Sequence, residues 1–427
     1  MSVVGKDRKN KCEICVGCGR CESDMTSLHI ITESFLKPEL LPAGETAGKG
    51  SFVIADIGTT TIAMELYDPM GNKVADYVAT NPQRVVGADV ISRIQAAENP
   101  MMAKQLQAFV LMELEKGIEK FLTRTMDGEA DRTAEQQEFQ QDMYQDRNIE
   151  KIYIAGNTVM LNILCGHDVQ PLGYAPFRAD FLEQEILEIK GIPAITMPGL
   201  SAFVGGDVVA GILATGMQRR EEISLLIDLG TNGELVLGNR EKLLAGSTAA
   251  GPAFEGMLRS QGKSVWGADI VVCVAELLKR GIVDETGLLA EPYFETGVTM
   301  SGVCITQDNI RSLQMAKAAI ATGVQTLVKE YGLKSTKEIQ KVYLASGFGY
   351  YLKEWAAMDI GLLPDELKGK IQAVGNSALA GCYYRHVCSR AVQETDRIRT
   401  VTKVVNLAEM EAFTEEFVEN MNLKKLV

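Results

Sequence analysis

The chain has 427 residues, of which 46% are hydrophobic, and this length fills at least two cores because single cores stop growing near roughly 250 to 300 residues. The formal net charge of -13, without a cluster of basic and aromatic residues, excludes nucleic acid as an expected partner. The first residues carry charges and cysteines where a signal peptide needs an apolar run, and no apolar stretch reaches roughly 18 residues, so we expect a soluble cytoplasmic protein with no membrane partner.

A cysteine-rich segment, residues 1–24, begins the chain. Cys12, Cys15, Cys18 and Cys21 follow the pattern C-x2-C-x2-C-x2-C, and the first three have the spacing with which bacterial ferredoxins bind a 4Fe-4S cluster. The ferredoxin pattern continues with three residues, a cysteine and a proline, whereas here two residues intervene, which leaves the fourth ligand open. Zinc is the alternative, since thiolates also bind that ion. Four closely and evenly spaced thiols favour iron-sulfur.

The remaining five cysteines stand in apolar stretches, where small buried thiols are the ordinary interpretation. They are Cys165, Cys273, Cys304, Cys382 and Cys388. The histidines, His29, His167 and His386, show no ligand spacing. Neither group adds a ligand set to the N-terminal cluster.

Residues 25–50 follow, with prolines, glycines and charges but no apolar period, and this composition indicates a linker. Globular patterning comes next. SFVIADIG (51–58) predicts a buried strand, IAMELYD (62–68) its partner, and residues 100–124 a helix. The acidic stretch at residues 127–150 is typical of a solvated loop or an exposed helix rather than a site.

Three pairs of similar segments recur in the same order along the chain. The pairs are VIADIGTTT (53–61) with LLIDLGTNGE (225–234), IYIAGNTVMLNIL (152–164) with VYLASGFGYYL (342–352), and AFVGGDVVAGIL (202–213) with QAVGNSALAGC (372–382). Such a repeat indicates a duplicated unit. We expect an α/β fold with two lobes, residues 51–222 and 223–427, that face each other across a cleft.

The first pair predicts two phosphate-binding hairpins. Glycines let the backbone approach a ligand, and threonine hydroxyls and N–H groups donate to oxyanions. The residues concerned are Gly58, Thr59 and Thr60 in the first hairpin and Gly230, Thr231, Asn232 and Gly233 in the second. Asp56 and Asp228 precede the hairpins, and Asp56 is expected to hold Mg²⁺ or its water. One hairpin alone would read as an ordinary turn with a capping aspartate, but two equivalent hairpins can hold phosphates from both sides.

Two further segments have the pattern of strand-to-helix turns, where N–H groups and the helix dipole favour anions or a nucleotide. In STAAGPAFEG (247–256), Glu255 is placed to bond ribose hydroxyls. In ASGFG (345–349), Gly347 and Gly349 let adenine lie against the backbone. The alternative for each segment is a glycine-rich helix entry.

These motifs together resemble a known superfamily. DIGTTT, LIDLGTNGE and LASGFG resemble the phosphate-1, phosphate-2 and adenosine signatures of the actin, sugar kinase and heat-shock chaperone (ASKHA) proteins, and GGDVVAGIL and GNSALAGC resemble their two connecting helices. More narrowly, the chain resembles the reductive activators of corrinoid proteins over residues 51–427. The segments that carry this narrower resemblance are NPQRVVGADVISRI (81–94), IAGNTVM (154–160), STAAGPAFEG (247–256) and ITQDNIRSLQMAKAAI (305–320).

The resemblance implies an ATP-hydrolysing enzyme of anaerobic metabolism, with Mg²⁺ and ATP in the cleft and an iron-sulfur centre that returns corrinoid cobalt(II) to cobalt(I). It implies a methyltransferase corrinoid protein as partner and an electron donor such as ferredoxin, and it leaves a homodimer open. By analogy with the first connecting helix of the superfamily, Asp207 positions the attacking water, with a helix-capping aspartate as the alternative. Gly251 and Phe348 join the expected ATP-binding residues, and Asp56 and Asp228 join Asp207 as catalytic residues.

The cysteine segment departs from the family pattern. Better-known corrinoid activators carry a plant-type 2Fe-2S domain at the N-terminus or paired 4Fe-4S motifs at the C-terminus, and this sequence has neither, so the electron donor and the exact partner stay open. Three rival functions remain at this stage. They are an activator of a 2-hydroxyacyl-CoA dehydratase, a small-molecule kinase with a structural zinc, and a chaperone-like peptide-binding module.

Overall fold

The secondary structure comes from a computed structural model that describes residues 50–123, 148–230, 232–251, 258–260, 263–265, 267–300, 303–410 and 412–426. The cysteine-rich segment, nearly all of the linker and most of the acidic stretch lie outside the described residues. The fold that positions the candidate site therefore begins at the first strand.

The described residues contain strands and helices in an alternating order typical of mixed α/β proteins. The strands are β1 (Ser51–Ile57), β2 (Thr61–Tyr67), β3 (Lys73–Thr80), β4 (Ile149–Gly156), β5 (Ile186–Ile189), β6 (Ile192–Thr196), β7 (Ser224–Leu229), β8 (Gly233–Gly238), β9 (Leu243–Thr248), β10 (Leu258–Ser260), β11 (Lys263–Val265), β12 (Val298–Met300), β13 (Val303–Ile305), β14 (Lys341–Ala345), β15 (Ile371–Gly375) and β16 (Thr402–Val404). The α-helices are α1 (Val90–Ala96), α2 (Pro100–Thr123), α3 (Thr158–Cys165), α4 (Gln170–Gly173), α5 (Gly206–Thr215), α6 (Gly267–Lys279), α7 (Tyr293–Thr296), α8 (Gln307–Tyr331), α9 (Ser346–Tyr351), α10 (Glu354–Asp359), α11 (Ser377–Val387), α12 (Ala391–Val401) and α13 (Phe413–Asn420). Short 3-10 helices lie at Pro82–Val85, Met217–Arg219, Thr336–Glu338, Asp365–Leu367 and Leu407–Glu409.

The first sheet has the order β3-β2-β1-β4-β6-β5. β1 is apolar along nearly its whole length and is buried on both faces, as expected for a strand that helices cover on either side. It pairs antiparallel with β2 and parallel with β4, and Asp56 lies opposite Ala63 on one neighbour and Ala155 on the other. The predicted first strand and its partner are confirmed.

The second sheet, β15-β14-β7-β8-β9-β16, repeats this arrangement. β7 pairs antiparallel with β8 and parallel with β14, and Asp228 lies opposite Glu234 and Ala345. Five strands of each sheet correspond one to one, in the orders β3-β2-β1-β4-β6 and β9-β8-β7-β14-β15. The duplicated α/β fold predicted from the three repeated segments is confirmed, and the aspartates occupy equivalent register positions.

Two helices connect the sheets at the centre of the molecule. α5 and α11 pack on each other so closely that a Cβ on Gly381 would lie 2.2 Å from the carbonyl oxygen of Ala210. A hydrophobic core surrounds this pair and takes residues from both sheets, among them Phe52 and Tyr343. Two further cores fill the outer sides of the first and second sheets. The sheets are thus joined through a shared core beneath the site.

The long helix predicted at residues 100–124 is observed as α2, which ends at Thr123. Its buried positions recur at helical spacing, from Leu106 through Val110 and Leu114 to Phe121, so one face packs on the first sheet. Within the described ranges, no helix combines the length and the apolar character needed to cross a bilayer.

Candidate functional site

Three aspartates from different elements meet between the two sheets. Asp56 and Asp228 occupy the penultimate positions of β1 and β7, and Asp207 lies in the first turn of α5. Their charges influence one another: Asp56 acts on both Asp207 and Asp228, and Asp228 also acts on Asp207. The predicted catalytic residues are therefore brought together, although they are far apart in the sequence.

This proximity has an electrostatic cost. Burial raises the pKa of Asp56 from 3.8 to about 6, against the lowering effect of a hydrogen bond from Asn376. Burial, followed by the charge of Asp56, raises the pKa of Asp228 to about 7. The pKa of Asp207 also rises to about 7, through burial and then the charges of Asp56 and Asp228. Ionisation of all three carboxyls is therefore unfavourable. A divalent cation that takes carboxylate oxygens as ligands would offset the repulsion between them.

Glu234 adds a fourth carboxyl that the sequence analysis did not single out. It lies opposite Asp228 in the β7–β8 hairpin and accepts a 3.4 Å hydrogen bond from the hydroxyl of Ser247. Burial, with the charges of Asp207 and Asp228, raises its pKa well above the ordinary value. The available signal was its position six residues after Asp228 across a tight hairpin, because antiparallel pairing then sets the two side chains on one face.

The N-termini of α5 and α11 lie next to the aspartates. Asn376 caps α11 by accepting from the backbone N–H of Leu379 at 2.8 Å, while its amide donates to Asp56 Oδ2 at 2.8 Å. The neighbouring Ser377 hydroxyl donates to Asp228 Oδ2 at 3.4 Å. In α5, the backbone N–H of Val208 donates to Asp207 Oδ1 at 2.8 Å. Two helix N-termini, each with the partial positive charge that favours anions, therefore lie beside the aspartates.

The first predicted phosphate hairpin is fixed by side chains from other elements. The backbone N–H of Gly58 donates to Thr61 O at 2.9 Å and closes the turn. Asn81 donates its amide to Gly58 O at 2.9 Å, and Asn157 donates to the hydroxyl of Thr59 at 3.1 Å. These partners hold Gly58, Thr59 and their neighbour Thr60 in one conformation.

Arg93 is a buried cation directly behind this hairpin. Its side chain is 0% exposed and donates to Thr59 O at 2.5 Å, Gln83 Oε1 at 3.0 Å and Gly87 O at 3.0 Å. Burial lowers its pKa to about 10, so the guanidinium stays charged at neutral pH. Arg93 belongs to one of the segments that carry the family resemblance, but the sequence pattern predicted no role for it.

The second predicted hairpin also has a tight turn, in which the backbone N–H of Gly230 donates to Asn232 O at 2.9 Å. A Cβ on Gly233 would lie 2.1 Å from Cδ1 of Ile320, so a larger residue here would force the Ile320 side chain on α8 to move. Thr231 lies outside the described residues. The other three predicted residues, Gly230, Asn232 and Gly233, lie in the turn that follows Asp228.

The second residue of the predicted adenosine segment is strained. Ser346 has φ of +68°, a conformation that side chains other than glycine rarely adopt, and its hydroxyl donates to Leu229 O at 2.7 Å. Space is open around Gly347, where an added Cβ would meet nothing within 4 Å. Phe348 lies in the core of the second lobe with 8% exposure, and Gly349 packs on Leu344. The structure thus gives Phe348 a packing role and leaves the open surface at Gly347.

Of the two predicted residues in the segment 247–256, the structure describes Gly251 but not Glu255. Gly251 has φ of +74° with open space around it, which favours glycine on conformational grounds. Glu255 lies outside the described residues. The predicted iron-sulfur ligands, Cys12, Cys15, Cys18 and Cys21, also lie outside them.

The other cysteines only partly match the expectation of buried thiols. Cys273 and Cys382 are buried, whereas Cys165, Cys304 and Cys388 are partly exposed. The fold also brings Cys165 and His167 together with Glu185, a grouping that the spacing of histidines in the sequence did not indicate.

Comparisons with known proteins give a consistent result. Residues 52–220 match the family model of the RACo middle region, and residues 222–265 and 259–426 match that of the C-terminal domain of RACo, the ASKHA domain. Corrinoid activation enzyme RamQ of Eubacterium limosum is 27% identical, and the alignment covers 92% of this chain and 74% of that protein. The Co(II) methylated amine-specific corrinoid protein reductase of Methanosarcina barkeri is 23% identical, over 54% of each protein.

A solved structure extends the likeness to three dimensions. The reductive activator for corrinoid, iron-sulfur protein is 27% identical and superposes with a TM-score of 0.75, over 90% of this chain and 67% of that one. The two matched family models follow one another along the chain and divide it between the two sheets. The chain therefore belongs to the RACo-type reductive activators of corrinoid proteins, with their ASKHA ATPase fold.

Proposed function

We propose that this protein is an ATP-dependent reductive activator that passes a low-potential electron to the cobalt(II) corrinoid of a methyltransferase corrinoid protein. The observation that carries the proposal is the meeting of Asp56, Asp207 and Asp228 beside two helix N-termini and two glycine hairpins. This arrangement combines ligands for a divalent cation with donors for phosphates. The named relatives, a corrinoid activation enzyme and a corrinoid protein reductase, supply the class of partner.

In the proposed site, Mg²⁺ and the phosphates of ATP bind between Asp56 in the first lobe and Asp228 in the second. Gly58 and Gly230 let the backbone approach the phosphates. Asp207 orients the attacking water, because its carboxylate is fixed at the first turn of α5 by a 2.8 Å hydrogen bond from the backbone N–H of Val208. Gly347 offers open surface for the base of the nucleotide.

The test of this role is Asp207→Asn in the full-length chain. We expect the variant to retain ATP binding, measured by calorimetry, and to lose hydrolysis, measured by phosphate release, because the amide still hydrogen-bonds but no longer accepts a proton. Asp76→Asn is the matched control, since the side chain of Asp76 is 44% exposed in a pair with Lys73 on β3. Unchanged turnover in Asp207→Asn would remove this residue from the mechanism.

The redox part of the proposal rests on the sequence pattern of Cys12, Cys15, Cys18 and Cys21 and on the named relatives. A 4Fe-4S cluster held by these thiolates would supply the electron, delivered to it by a donor such as ferredoxin in the reducing cytoplasm. Residues 25–50 give the segment reach toward both donor and acceptor if they behave as a flexible linker. Shortening this linker should slow cobalt reduction and leave ATP hydrolysis unchanged; equal cobalt reduction would refute a role for its length.

The first experiment is anaerobic purification with iron and sulfide analysis and electron paramagnetic resonance before and after dithionite. We expect about four iron and four sulfide per chain, lost in Cys15→Ala and Cys18→Ala, together with ATP-dependent formation of cobalt(I) on an added corrinoid protein. Stoichiometric zinc without a reducible chromophore would instead favour an ASKHA kinase with a structural metal, and a phosphorylated metabolite would then be sought.

A further inference from the structure

A second group of side chains of metal-binding type lies at the C-terminal end of α3 and includes none of the three aspartates. Cys165 is the last residue of this helix, Gly166 ends it with φ of +78°, and His167 follows. The reversal at Gly166 brings both side chains toward Glu185, which precedes β5. One ligand atom from each of Cys165, His167 and Glu185 lies within 4.8 Å of the other two, and His167 Nε2 contacts Glu185 Oε1 directly.

Neighbouring residues hold this group in place. The His167 ring stacks on Phe181, with centroids 3.8 Å apart and planes inclined by 4°. Asn162 accepts from the backbone N–H of His167 at 2.9 Å and donates its amide to Phe181 O at 3.1 Å. The backbone N–H of Glu185 donates to the hydroxyl of Thr196 at 2.9 Å. The three ligands are thus preorganised by stacking and hydrogen bonds, as metal ligands need to be.

There is also room for an occupant. Cys165, His167 and Glu185 help to line a cavity of about 20 Å³, and one water-sized occupant needs about 10 to 15 Å³. The side chains of His167 and Glu185 are 22% and 33% exposed, which gives an ion a path from solvent. Ligands around a single zinc ion lie about 3.3 to 3.8 Å apart for bonds of about 2.0 to 2.3 Å, so movements of about 1 Å would complete the geometry.

We propose that Cys165, His167 and Glu185 bind one divalent cation of the zinc type, with water at a fourth position. Thiolate, imidazole and carboxylate are each zinc ligands, and three protein ligands with one open position form a common zinc geometry.

The bound ion would stabilise a contact between the lobes. Glu183 lies two residues before Glu185 and accepts two hydrogen bonds, of 2.5 and 2.6 Å, from Arg399 on α12. Fixing Glu185 against the end of α3 restricts this segment, and so restricts Glu183 relative to the second lobe. The proposed site shares no ligand with the ATP site and does not depend on the proposed function.

Zinc stoichiometry of the full-length chain tests this site. Wild type, Cys165→Ser, Glu185→Gln and the control Cys388→Ser are loaded with Zn²⁺, dialysed and analysed for metal. The N-terminal cysteines are present in all four proteins, so the difference between them isolates this site. We expect Cys165→Ser and Glu185→Gln to hold about one equivalent less than wild type, and Cys388→Ser to equal wild type.

Co²⁺ gives an independent optical readout, since a cobalt thiolate absorbs in the near ultraviolet. The absorption should fall in Cys165→Ser and persist in Cys388→Ser. Glu185→Gln keeps the thiol, the ring and the shape of the site, so it provides a folded comparison if Cys165→Ser is unstable. Equal zinc content in all four proteins, or a cobalt spectrum that Cys165→Ser leaves unchanged, would show that the three residues form a hydrogen-bonded group only, and would overturn the proposal.

Discussion

Replacing Asp228 with asparagine should stabilise the nucleotide-free protein at neutral pH and remove its response to Mg²⁺ and ATP. The folded carboxyl titrates near pH 7 because burial and the charge of Asp56 raise its pKa from 3.8. Between these pH values the folded chain keeps a proton that the unfolded chain has lost. The stability that this group contributes is therefore present at low pH and is lost as pH rises from about 4 to about 7. An amide does not ionise, so the Asp228→Asn variant should not lose this stability as the pH rises.

The size of the effect follows from the pKa. A rise from 3.8 to about 7 corresponds to about 4 kcal/mol, at about 1.4 kcal/mol per pH unit. This is an upper limit, because the carboxyl is partly exposed and because Asp56 and Asp207 share the repulsion. We expect the variant to be more stable than wild type by about 2 kcal/mol at pH 8 and by less than half of that at pH 5, where only about one of the three pH units has been crossed.

Urea unfolding at pH 5 and pH 8, with chelator and without nucleotide, measures this difference. Asp76→Asn, on the exposed edge of the first sheet, is the control and should show no comparable gain. A parallel scan with Mg²⁺ and ATP should raise the melting temperature of wild type and not that of Asp228→Asn. A variant that is equally stable, or less stable by the same amount at both pH values, would refute the view that burial and the charge of Asp56 disfavour the ionised Asp228 carboxylate in the folded state.

Three further predictions concern Arg93, Gly381 and the contact between Glu183 and Arg399. Arg93→Lys should cost about 2 to 4 kcal/mol in urea unfolding and raise the ATP concentration needed for half-maximal hydrolysis, because an ammonium cannot satisfy the three buried acceptors that the guanidinium reaches; unchanged stability would contradict this. Gly381→Ala should cost about 1 to 3 kcal/mol, since its Cβ would lie 2.2 Å from Ala210 O, and a wild-type melting temperature would show that the helices can separate freely. A double-mutant cycle on Glu183 and Arg399 should give a coupling of only about 0.5 kcal/mol, because the Glu183 side chain is 74% exposed; a coupling above about 2 kcal/mol would indicate a buried latch.

The duplicated fold could be predicted because its signals are local and occur twice. A buried strand that ends in Asp-x-Gly is ambiguous alone, but its recurrence with two further segments in the same order leaves few topologies. The observed sheets place Asp56 and Asp228 at equivalent positions, each opposite an alanine on the parallel neighbour. Nothing in the sequence predicted the added edge strands β5 and β16, because edge strands are short and lack a regular apolar period.

The supports of the site were harder to predict than its motifs. Arg93 lies 34 residues from the Thr59 carbonyl that it binds, and Asn376 lies 320 residues from Asp56. Such hydrogen-bond partners meet only through the tertiary fold, so neither the hydrophobic periodicity nor the spacing of motifs in the sequence predicts them. Cys165 and His167 show the same limit, because the ligand pair is local in sequence but its third member, Glu185, comes from the segment before another strand.

The carboxylates suggest how nucleotide binding and lobe closure are coupled in the proposed mechanism. Asp56 belongs to the first sheet and Asp228 to the second, and the charge of Asp56 raises the pKa of Asp228. Without a cation, ionisation of both therefore opposes approach of the two hairpins. In the proposed mechanism, Mg²⁺ with ATP would neutralise this repulsion and would add phosphate oxygens for Gly58 and Gly230 to contact. A ligand shifts an equilibrium between two states only if it binds one of them more tightly. In the proposed mechanism, Mg²⁺ and ATP turn the repulsion between the lobes into attraction, and this change would let ATP favour the closed state over the open one.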